Sequence, residues 1–573
     1  MRRVIGVSVL ALVMTIGGVL LLSSPTVTAQ TASRSDRAPA ASAAKSPLLG
    51  GPRGVVKNAK GSPIEGMMIQ LISSQTSIRT TVYTNQLGQY EFPTLETGDY
   101  TMRIPRPLEY RPYRREGVRV DGTTVFPDLV LERIAEGPYL PPTPDILPQL
   151  VGAEYLANLP GTEREKDAVV SVCGASCHSF SNQYRARFDE TSWRLLIHRM
   201  SNYGYRILVP PPPPTRRFNE EQEMVAKFLA RVRGPEAENP PLKPFPRPYG
   251  PATRAIVTEY ELPWATVNIH DVAGDAAGNI WFTINRSPFI GMLEPKTGRV
   301  TSYRIPTPPP MVIKPPRHPL REDLGLHPGL HWVEVDHKTG TVWFTDTWSE
   351  AIGTLNPKTG DIRQVNIGVH GNVALAPDGT TLWKTDQGKI KKYDAVSVMK
   401  NGLPVKEYAM KTLNSTYGTF VSRDNRYVGG GGAQAIVWLD TVTGEVREVP
   451  GVTGKSMNGR GDFDPAGNIW VGGKMGTLVK YDAKQNVLSE YQAPTPHVAF
   501  YTARSDKNGE IWAGEMHGGR IARFNQHTQR WIEYQLPTPF SQDYFSWIDN
   551  STNPVTFWYG DQFGYIVRVQ PLE

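Results

Sequence analysis

Seven segments of the chain place an aromatic inside the same short apolar strand pattern: NIWFTI at Trp281, TVWFTD at Trp343, TLWKTD at Trp383, RYVGGG at Tyr427, NIWVGG at Trp470, EIWAGE at Trp512 and TFWYGD at Trp558. They recur at roughly 40-residue intervals between Ala255 and Glu573, the spacing of four-stranded propeller blades. Turn signals such as Ala277-Gly278-Asn279, Pro377-Asp378-Gly379 and Asn508-Gly509 precede these strands. A third strand closes on PKTG (Pro295, Pro357) or TVTG (Thr441), and an outer strand returns as TSYRIP, KEYAM, LSEYQAP and WIEYQLP. The region opens on an outer-type strand, Ile256 to Pro263, and ends on a third-type strand, YIVRVQPLE. Pairing these two is expected to seal a seven-bladed β-propeller over 255–573. The repeated tryptophans read as packing residues between sheets, because they persist while the residues around them change.

Upstream the composition changes several times. Arg2 and Arg3 precede the apolar run Val4 to Leu22, then small residues up to Ala29, the pattern of a signal peptide over 1–29 with cleavage after Ala29. The chain is thus expected to be periplasmic or secreted. A membrane enters the expectation only through that segment, if it stays uncleaved, since its length just suffices to span a bilayer. Residues 30–51 are Ala, Ser and charge, a disordered linker. From 52 to 134 apolar alternation is cut by turn residues, the signature of a small antiparallel β-sandwich. Its strings T-N-x-x-G-x-Y-x-F (Thr84 to Phe92) and L-x-x-G-x-Y (Leu95 to Tyr100) resemble the carboxypeptidase regulatory-like domain, a non-catalytic prealbumin-like sandwich. Tyr90, Phe92, Leu95 and Tyr100 are then core residues. Pro-rich linkers over 135–148 and 234–254 flank a helical domain at 149–233. There Asp189 caps a helix with Trp193, Leu196, Ile197 and Met200 at helical spacing, and a second helix covers Asn219 to Val232.

Both cysteines fall in SVCGASCHSF, Ser171 to Phe180. Two thiols and an adjoining imidazole in the order Cys173, Cys177, His178 are what thioether attachment of haem requires, although the spacer Gly174-Ala175-Ser176 is one residue longer than the common motif. The segment with its W-x-x-x-x-x-x-M helix resembles small cytochrome c domains. That resemblance implies haem c held by Cys173 and Cys177, His178 as proximal iron ligand, and Met200 as distal ligand, with His198, Met224 or an open position as alternatives. A lone disulfide is the main competing reading, and would constrain the unfolded chain by only about 2 kcal/mol on a chain-entropy estimate. Metal-binding or redox thiols remain as a third.

The strings D-x-x-G-N-I-W-F-T and P-K-T-G-x-[VI] make 255–573 resemble the streptogramin (virginiamycin B) lyase propellers. In that family a histidine at the start of an inner strand and an acid three positions past a blade tryptophan meet on one face, with magnesium. The resemblance implies His331, His370, His497 and Glu515 as catalytic candidates and Asp346, Asp386 and Glu515 as magnesium ligands. Asp561 takes the matching place in the last blade. Blade one has His270 without the acid, and Tyr501 stands where the family's base would be. A Pro-rich insertion, Thr307 to Gly329, emerges at the same edge as a candidate cover.

The expected function is an exported monohaem cytochrome fused to a ligand-binding propeller, with a redox protein or a small molecule as partner. The alternatives are a metal-dependent lyase opening a cyclic ester and a non-catalytic scaffold. A net charge of +7, from 62 basic and 55 acidic residues spread along the chain, offers no basic run for nucleic acid.

Overall fold

The computed structural model describes residues 26–30, 49–173, 179–201, 218–264, 268–285, 287–306, 329–347, 349–368, 371–432, 435–451, 457–541 and 543–573. The fold is mainly β, with few helices. Residues 1–25 of the signal segment, the insertion Thr307 to Pro328, and Cys177, His178 and His370 lie outside the described residues.

From residue 255 onward the chain forms seven sheets in propeller-like succession. Each holds one of the seven aromatics on its second strand. The inner strands are Ile269–Gly274, Leu330–Val335, Ala374–Leu375, Gly418–Val421, Met457–Phe463, Ala499–Phe500 continued by Arg504–Ser505, and Trp547–Asp549. The last sheet takes its outer strand from the opposite end of the region: Ala255–Glu261 pairs antiparallel with Tyr565–Pro571 in unbroken register from Ala255↔Pro571 to Glu261↔Tyr565. Blade seven also meets blade one, where the Phe545 N–H donates to the His270 carbonyl at 3.1 Å.

Two recurring devices explain why this sequence adopts this fold. In D-x-x-G-x-I-W the Asp carboxylate accepts turn N–H groups and the indole N–H of the following Trp. The indole distances are 2.9 Å for Asp275 and Trp281, 3.1 Å for Asp464 and Trp470, and 3.0 Å for Asp506 and Trp512. A buried indole N–H thus finds the partner it needs while its rings pack the sheet. The second device is a threonine two places past the Trp. Thr283 Oγ1 accepts from Asp271 N (3.1 Å) and donates to the carbonyl of His331 in the next sheet (2.8 Å); Thr345 does the same with Trp332 N (3.2 Å) and Gly371 O (2.9 Å). Each such hydroxyl ties two adjacent inner strands at their starting ends.

The sandwich consists of a three-stranded sheet (Gln89–Pro93, Gly50–Asn58, Leu129–Leu131) facing a four-stranded one (Arg79–Tyr83, Met68–Ser73, Gly98–Arg103, Arg114–Val120). Its core holds Val56, Ile69, Leu71, Val82, Tyr90, Phe92 and Tyr100, with Leu95 partly buried against it. Strand Arg79–Tyr83 pairs with Ala255–Glu261 over three residues, so sandwich and blade seven share one eight-stranded sheet. A strand at Thr26–Gln30 runs parallel to the outer strand of blade five, Val487–Gln492. Among the described residues no helix is long and apolar enough to cross a membrane.

The helical unit comprises α1 (Gly152–Asn158), α2 (Glu163–Cys173), α3 (Ser181–Arg185), α4 (Glu190–Ser201) and α5 (Glu220–Val232). Asp189 accepts the Ser192 N–H at 2.8 Å at the start of α4. Asn219 and Gln222 form a reciprocal capping box on α5. Arg194 reaches Glu190 (2.7 Å) and, on α5, Glu223 (2.6 Å). Trp193, Ile197 and His198 are buried, Leu196 is partly so, and Met200 is 42% exposed. The unit is seated on both neighbours: Glu154 forms a buried ion pair with Arg106 of the sandwich at 3.0 Å, and the Ala153 N–H donates to the His517 carbonyl of blade six at 2.8 Å.

Candidate functional site

Inner strands of blades one, two and five each slip register near their starting ends: between Ile269 and Val272, between Leu330 and Val333, and between Met457 and Gly461. Such a bulge re-aims side chains that strict alternation would send to opposite faces. The irregular stretches hold His270 and Asp271, His331, and Arg460. With Tyr417, Tyr501 and Tyr544, from the inner-strand starts of blades four, six and seven, they gather into one cluster where the inner strands converge.

Asp271 and Arg460 anchor it. Arg460 Nη1 donates to both Asp271 oxygens at 2.9 and 3.0 Å, and both side chains are fully buried. Burial works against the guanidinium charge, but Asp271, Tyr501 and Tyr417 outweigh it and hold Arg460 above its ordinary value. Arg460 Nη2 lies 3.0 Å from His331 Nδ1. A guanidinium only donates, so His331 Nδ1 is an acceptor and the neutral ring carries its proton on Nε2. His270 is the reverse case. Its Nδ1 lies 2.6 Å from Asp271 Oδ1, a carboxylate that accepts, which leaves Nε2 of the neutral ring with a lone pair. Burial pushes the His270 pKa down, against the upward pull of Asp271, so the ring is neutral at pH 7. The two imidazoles are tilted against each other with centroids 3.8 Å apart, and Tyr544 stacks on His270 at 4.9 Å.

His270 Nε2 is 3.5 Å from Tyr501 OH, His331 Nε2 is 3.4 Å from Tyr417 OH, and the two phenols hydrogen-bond to each other. Burial raises Tyr501 well above the ordinary tyrosine range. Tyr417, 40% exposed, forms the mouth of the cluster. The arrangement can accept a proton at His270 Nε2 and deliver one from His331 Nε2, over a fixed positive charge. His270, Asp271 and His331 also offer three donor atoms within 4.8 Å of one another. A divalent metal does not fit them as they stand, because Arg460 occupies both Asp271 oxygens and His331 Nδ1.

The other candidates from the sequence lie elsewhere. His497 faces Glu163 of the helical unit at 3.8 Å, and burial lowers its pKa. Asp346 accepts the Gly329 and Ser349 N–H groups at 2.8 and 3.2 Å, Asp386 lies 3.9 Å from Lys391, and Glu515 is buried beside Glu533, burial first and that neighbour second holding its carboxyl well above the usual range. Asp346, Asp386 and Glu515 stand on three separate sheets. Asp543 and Asp561 pair across an antiparallel bridge, and burial pushes each up to about 7. Asp271, Arg460, Tyr417 and Tyr544 carry no sequence motif. Aligning blades on the clamp aspartate does set Arg460 four places before Asp464, as Asp271 stands four before Asp275; that correspondence is the signal that could have found them.

In the helical unit Cys173 ends α2 and lies with Val172, Leu196 and Met224 among the partly buried apolar residues against its core. Burial pushes its thiol up to about 12. Phe180, two places past His178, stacks on His517 of blade six with centroids 3.9 Å apart.

Fold and site together define a mainly β protein with a sandwich, a small helical unit and propeller-like sheets around a buried histidine cluster. The family model of the carboxypeptidase regulatory-like domain matches residues 53–132. Among solved structures the chain is similar to a streptogramin B lyase, with 19% identity and TM-score 0.45 over 56% of this chain and 99% of that one. It is also similar to virginiamycin B lyase from Staphylococcus aureus, with 16% identity and TM-score 0.44 over 55% and 98%. No curated protein matches the chain.

Proposed function

We propose that the chain is an exported redox protein, in which haem c held through Cys173, Cys177 and His178 serves a propeller that binds a small ligand at the histidine cluster. Bound haem supplies one-electron exchange. The observation that carries this reading is the Phe180–His517 stack: it ties the chain just past the CxxxCH segment to blade six, next to Met516, which packs in one cluster with Tyr501. For the distal position the buried His198 competes with the exposed Met200. Maturation in a host competent for cytochrome c assembly should give haem that survives denaturing electrophoresis and is lost in Cys173→Ala and Cys177→Ala. Colourless protein from that host overturns the reading.

A second reading is favoured by the opposed tautomers of His270 and His331. The pair suits an elimination at a cyclic ester, with His270 taking the proton and His331 delivering one to the departing oxygen. Opening of a streptogramin-type lactone, reduced about 100-fold or more in His270→Ala and in His331→Ala, is the expected result. An intact lactone after prolonged incubation with wild-type protein sinks it.

A further inference from the structure

One place in the propeller breaks the repeat in a chemically specific way. The residue after each blade aromatic pairs across the sheet with a residue of the third strand. In blades one and two that pair is Phe282 with Gly291 and Phe344 with Gly353. In blades four to seven it is Val428 with Leu439, Val471 with Val479, Ala513 with Ala522, and Tyr559 with Val567. None of these six carries a charged side chain. In blade three the pair is Lys384 with Lys391, both buried, at 3% and 8% exposure.

Two ammonium groups side by side in a sheet interior repel each other and lose hydration, which a fold retains only with compensation. Lys391 Nζ donates to Gln387 Oε1 at 3.0 Å and lies 3.9 Å from Asp386. Lys384 Nζ donates to the Asn372 carbonyl at 2.9 Å. Among the described residues, Asp386 favours the charge on Lys384 while Arg460 and Lys391 oppose it; burial first, opposed by Asp386, lowers its pKa to about 8, so it stays mainly protonated at pH 7. Its reach is toward the axis. A Cβ on Gly371 would lie 3.8 Å from Lys384 Nζ and 3.8 Å from the Tyr417 carbonyl, which sets the ammonium beside the starts of the inner strands of blades three and four.

We infer that the Lys384–Lys391 pair is an anion subsite, opening toward Tyr417, that takes the carboxylate of a small organic acid. A planar anion with two oxygens can meet one ammonium with each. A phosphate, with more oxygens to satisfy, would need donors beyond these two. The inference stands on blade three alone and holds whether or not the helical unit carries haem.

The probe is succinate, titrated into the full chain at constant ionic strength and followed by calorimetry and by the unfolding midpoint. Wild-type protein should bind it saturably, and Lys384→Met should weaken binding about ten-fold or more. The double variant Lys384→Phe, Lys391→Gly rebuilds the pair of blades one and two. It should fold with a midpoint at or above wild type and no longer respond to succinate, which keeps the test readable if Lys384→Met does not fold. The inference is overturned if wild type shows no saturable binding, if sodium chloride or phosphate is bound as well as succinate, or if the double variant still binds succinate.

Discussion

At the turn edge, blades one, five and six build the same clamp from Asp275, Asp464 and Asp506, each holding its tryptophan at 2.9 to 3.1 Å. At the other end of the same inner strands they present His270 with Asp271, then Arg460, then Tyr501. One edge repeats in these three blades because each meets the same requirement there, closing a turn and satisfying a buried indole. The other edge varies because its residues face each other across the axis, where identical side chains would leave charges and donors unmatched. Repetition thus marks what holds the blades, and departure from it marks where chemistry can be placed.

The sharpest break in that comparison is at the axis. Arg460→Met leaves Asp271 buried and uncompensated, and should cost ~3–5 kcal/mol in denaturant unfolding. Adding Asp271→Leu should recover part of that loss; a double variant no better than the single one would show that the pair is not the anchor described above. At the turn edge the expected effect is smaller and uniform. Asp275→Ala, Asp464→Ala and Asp506→Ala should each cost ~1–3 kcal/mol, the scale of a buried polar group left without its partner. Values that differ widely among the three blades would break the equivalence of the clamps.

Next comes pH. Asp543 and Asp561 have folded pKa values raised to about 7, so the folded state holds protons that the unfolded chain releases near pH 4. Their contribution is fully present below the unfolded pKa and is lost as pH rises through about 7. Asp561→Asn, which cannot ionise and keeps an acceptor for the Phe563 N–H, should therefore raise the unfolding free energy at pH 8 by ~1–3 kcal/mol and leave it nearly unchanged at pH 4. An equal gain at both values would show that the carboxyl is not protonated by the fold. Smallest of all is the exposed pair Arg111–Glu132, 3.3 Å apart and 70% exposed on both sides, where Arg111→Ala should leave the midpoint within error.

The repeating edge was legible in the sequence and the varying edge was not. D-x-x-G-x-I-W is local, since carboxylate, turn and indole lie within a few residues, so the pattern that forms the contact is also the pattern that is read. The pairing of Ala255–Glu261 with Tyr565–Pro571 was legible too, because each end carries the strand type the other lacks. Asp271 and Arg460 are 189 residues apart and meet only once the sheets are arranged. The bulges that turn them inward leave no trace in an alternation pattern. His331 was readable by its place in a strand, but its tautomer depends on Arg460. On α4, helical spacing put Met200 with Trp193 and Ile197; the fold buries His198 with them and leaves Met200 42% exposed, because which residues at the end of the stripe are covered depends on packing between helices, which spacing within one helix does not contain.

Strand Ala255–Glu261 lies between the last blade and the sandwich, pairing with both. The two bodies are therefore one beam, and the sandwich cannot swing as a tethered weight. Cutting the sandwich away would strip the partner from one flank of that strand and leave bare amide groups able to template another chain, so the isolated propeller should self-associate more readily than the whole protein.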